Sequence, residues 1–165
     1  MNNRLISFIC AGLITISCVS SLCFYDYFSI DSISKGPIYW VFYIFQMSIL
    51  LGQTGMGVYA INALLRQRKE AVSHLSYFAA HVFLQNITPL LQAWKIENCI
   101  TEYPGWLLVS QVLFSIVLFI TLLFKQPLSL FKQPEYIPRL LMVSFYINCV
   151  YAILTITGLI ISLCI

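Results

Sequence analysis

Charged residues divide the chain into five long apolar stretches, at about 5–24, 38–65, 71–94, 106–124 and 140–165. A helix that crosses a bilayer needs roughly 20 mostly apolar residues, and each stretch meets that length. Between them lie Asp26, Asp31 and Lys35; then Arg66, Arg68, Lys69 and Glu70; then Lys95, Glu97 and Glu102; then Lys125, Lys132, Glu135 and Arg139. Connections this short leave no room for a separate water-soluble domain. The pattern predicts a single domain over 1–165, an all-α membrane protein built as a bundle of five transmembrane helices.

Three of the stretches carry polar and small residues at steps of three and four, which places them on one helical face. In the third they are His74, Tyr77, His81, Gln85, Thr88 and Gln92, with Pro89 adding a kink and leaving the Gln85 carbonyl without its usual helical donor. The second has Ser48, Gly52, Gly55, Tyr59 and Asn62, with Gln46 and Gln53 on a neighbouring face; the fifth has Ser144, Asn148, Tyr151, Thr155, Gly158 and Ser162. The fourth has no comparable stripe and is expected to be the most lipid-exposed helix. Small residues and hydroxyls suit helix packing in a membrane. His81, Gln85, Gln92, Gln53 and Asn148 together are harder to satisfy in a dry interior, and they raise the alternative of a ligand or water cavity.

Composition fixes the medium. With 60% hydrophobic and only 9% charged residues, the chain cannot cover a water-facing surface of ordinary polarity. The first stretch follows Arg4 and has small residues near Val19 to Ser21, so a cleaved secretory signal is the alternative to a retained helix; its apolar run exceeds the roughly 7–15 residues of a signal core. Five spans place Arg4, Arg66, Arg68, Lys69, Lys125, Lys132 and Arg139 on one side and Lys35 and Lys95 on the other. Lys and Arg near helix ends stay cytoplasmic, which predicts an N terminus inside and a C terminus outside, in a bacterial inner membrane or an organelle membrane. Tyr25, Tyr27, Tyr39, Trp40, Trp94, Tyr103 and Trp106 then fall at the outer boundary, where aromatic residues anchor helices.

Candidate chemistry is sparse. The six cysteines have no metal-ligand spacing; Cys23 and Cys99 would both lie near the outer face and could pair. His74 and His81 are two turns apart with no carboxylate inside a span to join them, so no metal site is expected. A proton-coupled pump or a membrane enzyme would ordinarily need such a carboxylate, which points away from catalysis. Asn86-Ile-Thr88 has the form of a glycosylation site but lies at membrane depth. No phosphate loop, catalytic triad or nucleic-acid patch is present in the sequence.

The ordered motifs carry a resemblance. Pro37-Ile-Tyr-Trp40-Val-Phe42 resembles the Pro-Pro-x-Trp-x-Phe signature of the TspO/MBR family of translocator proteins and tryptophan-rich sensory proteins, Thr54-Gly55-Met-Gly57-Val-Tyr59 is similar to its Met-Gly-x-Ala-x-Tyr, and Pro138-Arg-Leu-Leu-Met142-Val-Ser144-Phe145 to its Pro-Tyr-Leu-x-Trp-Val-Ser-Phe. Length, five spans and a longer first loop fit as well. Ile38, Arg139 and Met142 depart from the family residues, and Leu84-Gln-Asn-Ile-Thr88-Pro89 keeps only part of its Leu-Asn-x-x-Trp-Ser-Pro stretch, so the scaffold carries over better than the ligand specificity.

The resemblance implies a receptor or carrier-like membrane protein, often a homodimer, that binds a flat hydrophobic ligand such as protoporphyrin IX, heme or a sterol in a pocket under the first loop. Carried over by motif, the contacts are Trp40, Phe42, Tyr59, Met142 and Phe145. The polar stripes add His81, Gln85, Thr88 and Asn148. Trp40 has two readings, interfacial anchor or pocket lid. A small oligomeric transporter and an accessory membrane subunit without a ligand remain open.

Overall fold

A computed structural model of the chain describes residues 3–33, 37–68, 70–95, 103–125 and 137–164. Five helices account for most of them: α1 (Asn3–Ile33), α2 (Pro37–Leu65), α3 (Ala71–Lys95), α4 (Tyr103–Lys125) and α5 (Arg139–Cys164). No strand occurs among the described residues. α1 runs past its expected end at Phe24 and carries Asp26 and Asp31 on its last turns. From Tyr25 to Ile33 the sequence has neither Gly nor Pro, so nothing breaks the helix before Gly36-Pro37. The long first loop expected from the resemblance is therefore largely helical.

α1 packs on α2, α2 on α3 and α3 on α4, while α1 and α4 touch more lightly; these four helices close a ring. α5 lies outside it, in the groove between α2 and α3. The shared core is apolar, with Ile14, Met56, Ala60, Leu75, Phe78, Val82 and Leu122 in mutual contact. Close approach is needed where α1, α2 and α3 meet: a Cβ on Gly57 would stand 2.7 Å from the Cys18 sulfur and 3.2 Å from the Phe78 ring.

The burial pattern inverts that of a water-soluble bundle. α3 is the most polar helix and the most enclosed, burying Ser73, His74, Ser76, His81, Asn86 and Thr88. The apolar side chains point outward from its neighbours, among them Ile9 and Ile16 on α1, Val41 and Leu51 on α2, Val117 and Phe124 on α4, and Val143 and Ile153 on α5. Among the described residues, two helices are long and apolar enough to cross a membrane, over Tyr43–Leu65 and Arg139–Ile161; Ile6–Leu22 and Leu108–Phe124 are apolar but shorter.

Hydroxyl groups are mostly satisfied within their own helices. Thr15, Ser48, Thr54, Thr88, Thr121 and Thr155 each donate to the carbonyl four residues back. Amide side chains have no such local solution. Gln111 on α4 reaches α1, where its Nε2 donates to the Ser17 carbonyl at 3.1 Å and to the Ser20 hydroxyl, while Ser17 Oγ donates to its Oε1. α4 thus turns Leu108, Gln111, Val112, Ser115 and Leu122 inward. The absence of a periodic stripe did not make it the most exposed helix; α5 presents the broadest outward face.

α2 ends in a capping turn. Arg68 N–H donates to the Ala63 carbonyl and Gln67 N–H to the Leu64 carbonyl, with Gln67 at φ 52°. This six-to-one, five-to-two pattern favours glycine at the left-handed position. Gln67→Gly is expected to be neutral or stabilising by up to about 1 kcal/mol, whereas the β-branched Gln67→Ile costs about 1 kcal/mol or more. Thermal unfolding of both variants in one detergent checks the sign of each.

Candidate functional site

The α2–α3–α5 junction centres on Gly52. A Cβ built there would lie 2.6 Å from the Ser144 Cβ on α5 and 3.4 Å from the His81 Cε1 on α3, so the three helices meet where α2 has no side chain. Two consecutive carbonyls one turn earlier are bonded from outside. Ser144 Oγ donates to the Ser48 carbonyl at 2.8 Å, and the His81 Nε2–H donates to the Ile49 carbonyl at 2.9 Å. α5 is tied to α3 as well: Asn148 Nδ2 donates to the His81 carbonyl at 3.0 Å. Phe145 closes the junction, tilted against the His81 ring at 6.1 Å and edge-on to Tyr77 at 5.3 Å.

The hydrogen-bond directions fix what is left over. A carbonyl only accepts, so in the neutral imidazole His81 Nε2 carries the proton and Nδ1 is an acceptor. That Nδ1 is buried and has no partner. The same holds for Asn148 Oδ1, whose amide is oriented by its donation to a carbonyl, and for Gln85 Oε1 one turn beyond His81 on α3. His81 and Asn148 are both 0% exposed. Pro89 also has no N–H to give to the Gln85 carbonyl. The patch therefore gathers three buried acceptors without partners. Leaving such groups unmade costs on the order of 1–3 kcal/mol each.

His81, Asn148 and Phe145 are in mutual contact, and Gln85 and Thr88 follow on the same helix. Thr88 is buried, but its hydroxyl turns back to the Leu84 carbonyl at 3.3 Å and adds nothing to the patch. Trp40 is not brought to this junction. It precedes Gly52 by twelve residues, about 18 Å along the helix, is 47% exposed and stacks edge-on with Tyr43 at 5.9 Å. Tyr59 lies about two turns past Gly52 and is half-buried; Met142 is half-buried against the apolar core. The side chains of Phe42, Gln92, Cys23 and Cys99 lie outside the described residues.

Gln53 departs from the expected shared face. It turns to α1, where Nε2 donates to Ser21 Oγ at 3.0 Å, and its Oε1 has no partner. The α1–α4 contact through Gln111, Ser17 and Ser20 was not anticipated. An isolated glutamine in an apolar span was the available signal, since such a group requires a partner on another helix. No group of three or more His, Cys, Asp or Glu suited to a metal occurs among the described residues.

Comparison with protein-family models, curated proteins and solved structures gives no match to this chain.

The junction makes a contrast between two glycines. Gly52→Ala must displace Ser144 and its bond to α2, at a cost of about 1–3 kcal/mol. Gly158, with nothing within 4 Å of an added Cβ, should accept alanine without loss or gain up to about 1 kcal/mol from helix propensity. Parallel thermal unfolding of the two variants in detergent tests whether α5 docks through Gly52.

Proposed function

We propose that this chain is a five-span integral membrane protein that binds a hydrophobic small molecule at the α2–α3–α5 junction, as a receptor or carrier. The observation that carries the reading is the set of buried acceptors without donors at His81, Gln85 and Asn148. A contact evolved only for packing gains nothing from three unpaired polar atoms, whereas a ligand site requires fixed polar groups inside an apolar surround. The resemblance to the TspO/MBR family supports the same class of ligand, with protoporphyrin IX or heme as the first compounds to test.

The bilayer reading is supported by the inverted burial pattern. Lipid offers no partners to polar side chains, so they gather inside and the apolar ones face out. α3 needs no apolar surface of its own, because α2, α4 and α5 cover it. The basic residues of the α2–α3 connection, Arg66, Arg68 and Lys69, favour the cytoplasmic side. Alkaline phosphatase fused after Ile165 is expected to be active and after Arg68 inactive, with green fluorescent protein fusions reversed. Matching signals at both sites overturn the five-span topology; the opposite assignment keeps three spans between the sites and overturns the cytoplasmic placement of the N terminus.

Ligand binding is tested by titrating the purified protein with protoporphyrin IX and heme and following quenching of tryptophan fluorescence. Gln85→Leu is the informative variant, since the Gln85 Oε1 it removes has no partner. Binding is expected to weaken roughly tenfold, the worth of one buried hydrogen bond, while thermal stability holds or rises. Saturable binding untouched by Gln85→Leu and Asn148→Leu would place the ligand elsewhere; no saturable binding of either compound removes the reading for tetrapyrroles.

A further inference from the structure

Resting on the ligand-site reading above, we propose that the junction selects ligands that present an uncharged hydrogen-bond donor to its acceptors, an alcohol or an N–H such as the pyrrole N–H of a free-base porphyrin, and discriminates against those of the same skeleton that would present a carboxylate, ether or carbonyl there. The fully buried atoms of the patch without partners are all acceptors: His81 Nδ1, Gln85 Oε1 and Asn148 Oδ1. Two of the three cannot exchange roles. His81 Nε2 is committed to the Ile49 carbonyl and Asn148 Nδ2 to the His81 carbonyl, so neither side chain can turn over to present its N–H without breaking a buried bond.

The surroundings exclude the alternatives by charge. α2 and α5 hold no acidic residue, and α3 has none between Ala71 and Lys95. A cationic amine would therefore enter a low-dielectric site without a counter-charge, which costs far more than three neutral acceptors return. A carboxylate would meet three lone pairs, and the basic residues nearest in sequence, Arg139 on α5 and Lys95 on α3, stand nine residues before Asn148 and ten after Gln85, about 14–15 Å along their helices. A hydroxyl or N–H meets the acceptors without either penalty.

The apolar body has a direction to run. Beyond Ala152, which is buried, α5 leaves its neighbours: Ile153, Leu154, Ile160 and Ile161 are exposed, and nothing lies within 4 Å of a Cβ added at Gly158. Gln85 is only half-buried, and Pro89 and Leu91 follow it toward the outer end of α3. A ligand with its donor at Asn148 and His81 would lay its chain along this outer part of the α3–α5 seam, continuous with the surrounding lipid.

Three chromophoric compounds with one polyene separate the chemistry: retinol donates, its methyl ether only accepts, and retinoic acid is anionic. Fluorescence and absorbance titrations of the full chain in nanodiscs are expected to give saturable retinol binding, with the ether and the acid weaker by roughly tenfold or more. In Gln85→Leu, which leaves the α5 anchor bonds in place, the gap between alcohol and ether should narrow while thermal stability holds. Equal or tighter binding of the ether or the acid overturns the proposal, as does a gap that Gln85→Leu and Asn148→Leu both leave unchanged. If none of the three binds while protoporphyrin IX does, donor selection fails and the ligand site stands; if protoporphyrin IX and heme also fail, the site reading fails with it.

Discussion

Two consecutive carbonyls of α2, those of Ser48 and Ile49, each receive a hydrogen bond from a different helix, and the position of α5 follows from that pair. Backbone carbonyls inside a helix already accept one bond, so a second donor must approach from the side and at close range. Gly52 supplies the range. With no Cβ on α2 at that turn, Ser144 and the His81 ring reach its backbone together, and Asn148 then finds the His81 carbonyl. α5 needs this pinning because it lies outside the four-helix ring and buries only a narrow face, chiefly Ser144, Phe145, Asn148 and Ala152.

On the proposed bilayer reading that dependence is sharpened. Apolar contact between helices gains little when lipid tails are equally apolar, and association rests on close packing and interhelical hydrogen bonds. Among the described residues there are three such polar contacts, one of them the Gln53–Ser21 bond from α2 to α1. Gln111 joins α4 to α1 through Ser17 and Ser20 and closes the ring; Ser144, His81 and Asn148 attach α5 to its outside. Between them sits the apolar cluster around Phe78, which fills space.

The helices were legible from charge spacing alone, and their boundaries shifted only where the sequence lacked a breaker, at the end of α1. The polar stripes located the junction: Gly52, His81, Ser144 and Asn148 all stood on them. What periodicity could not reveal was which polar residues matter between helices. Thr88 and Thr155 share the stripe with Asn148, yet their hydroxyls return to their own helices, because a Ser or Thr side chain is short enough to reach the carbonyl four residues back. Gln111 stood on no stripe and proved decisive for α4. Trp40, chosen by motif, was unconstrained by any pattern that linked it to the polar face, and it stands in the first turn of α2, about three turns before Gly52.

Two of the polar contacts differ in a way that bears on function. In the α1–α4 contact both ends of the Gln111 amide are matched, donor to acceptor and acceptor to donor. At the α2–α3–α5 junction acceptors are left over: His81 Nδ1, Gln85 Oε1 and Asn148 Oδ1 are buried without partners. Leucine at position 85 would hold the helices together equally well with no polar atom to satisfy, so packing does not account for the glutamine. The α1–α4 contact is complete as a structural joint. The junction beneath α5 keeps three buried acceptors to which the chain brings no donor, and the helix that covers it lies outside the four-helix ring.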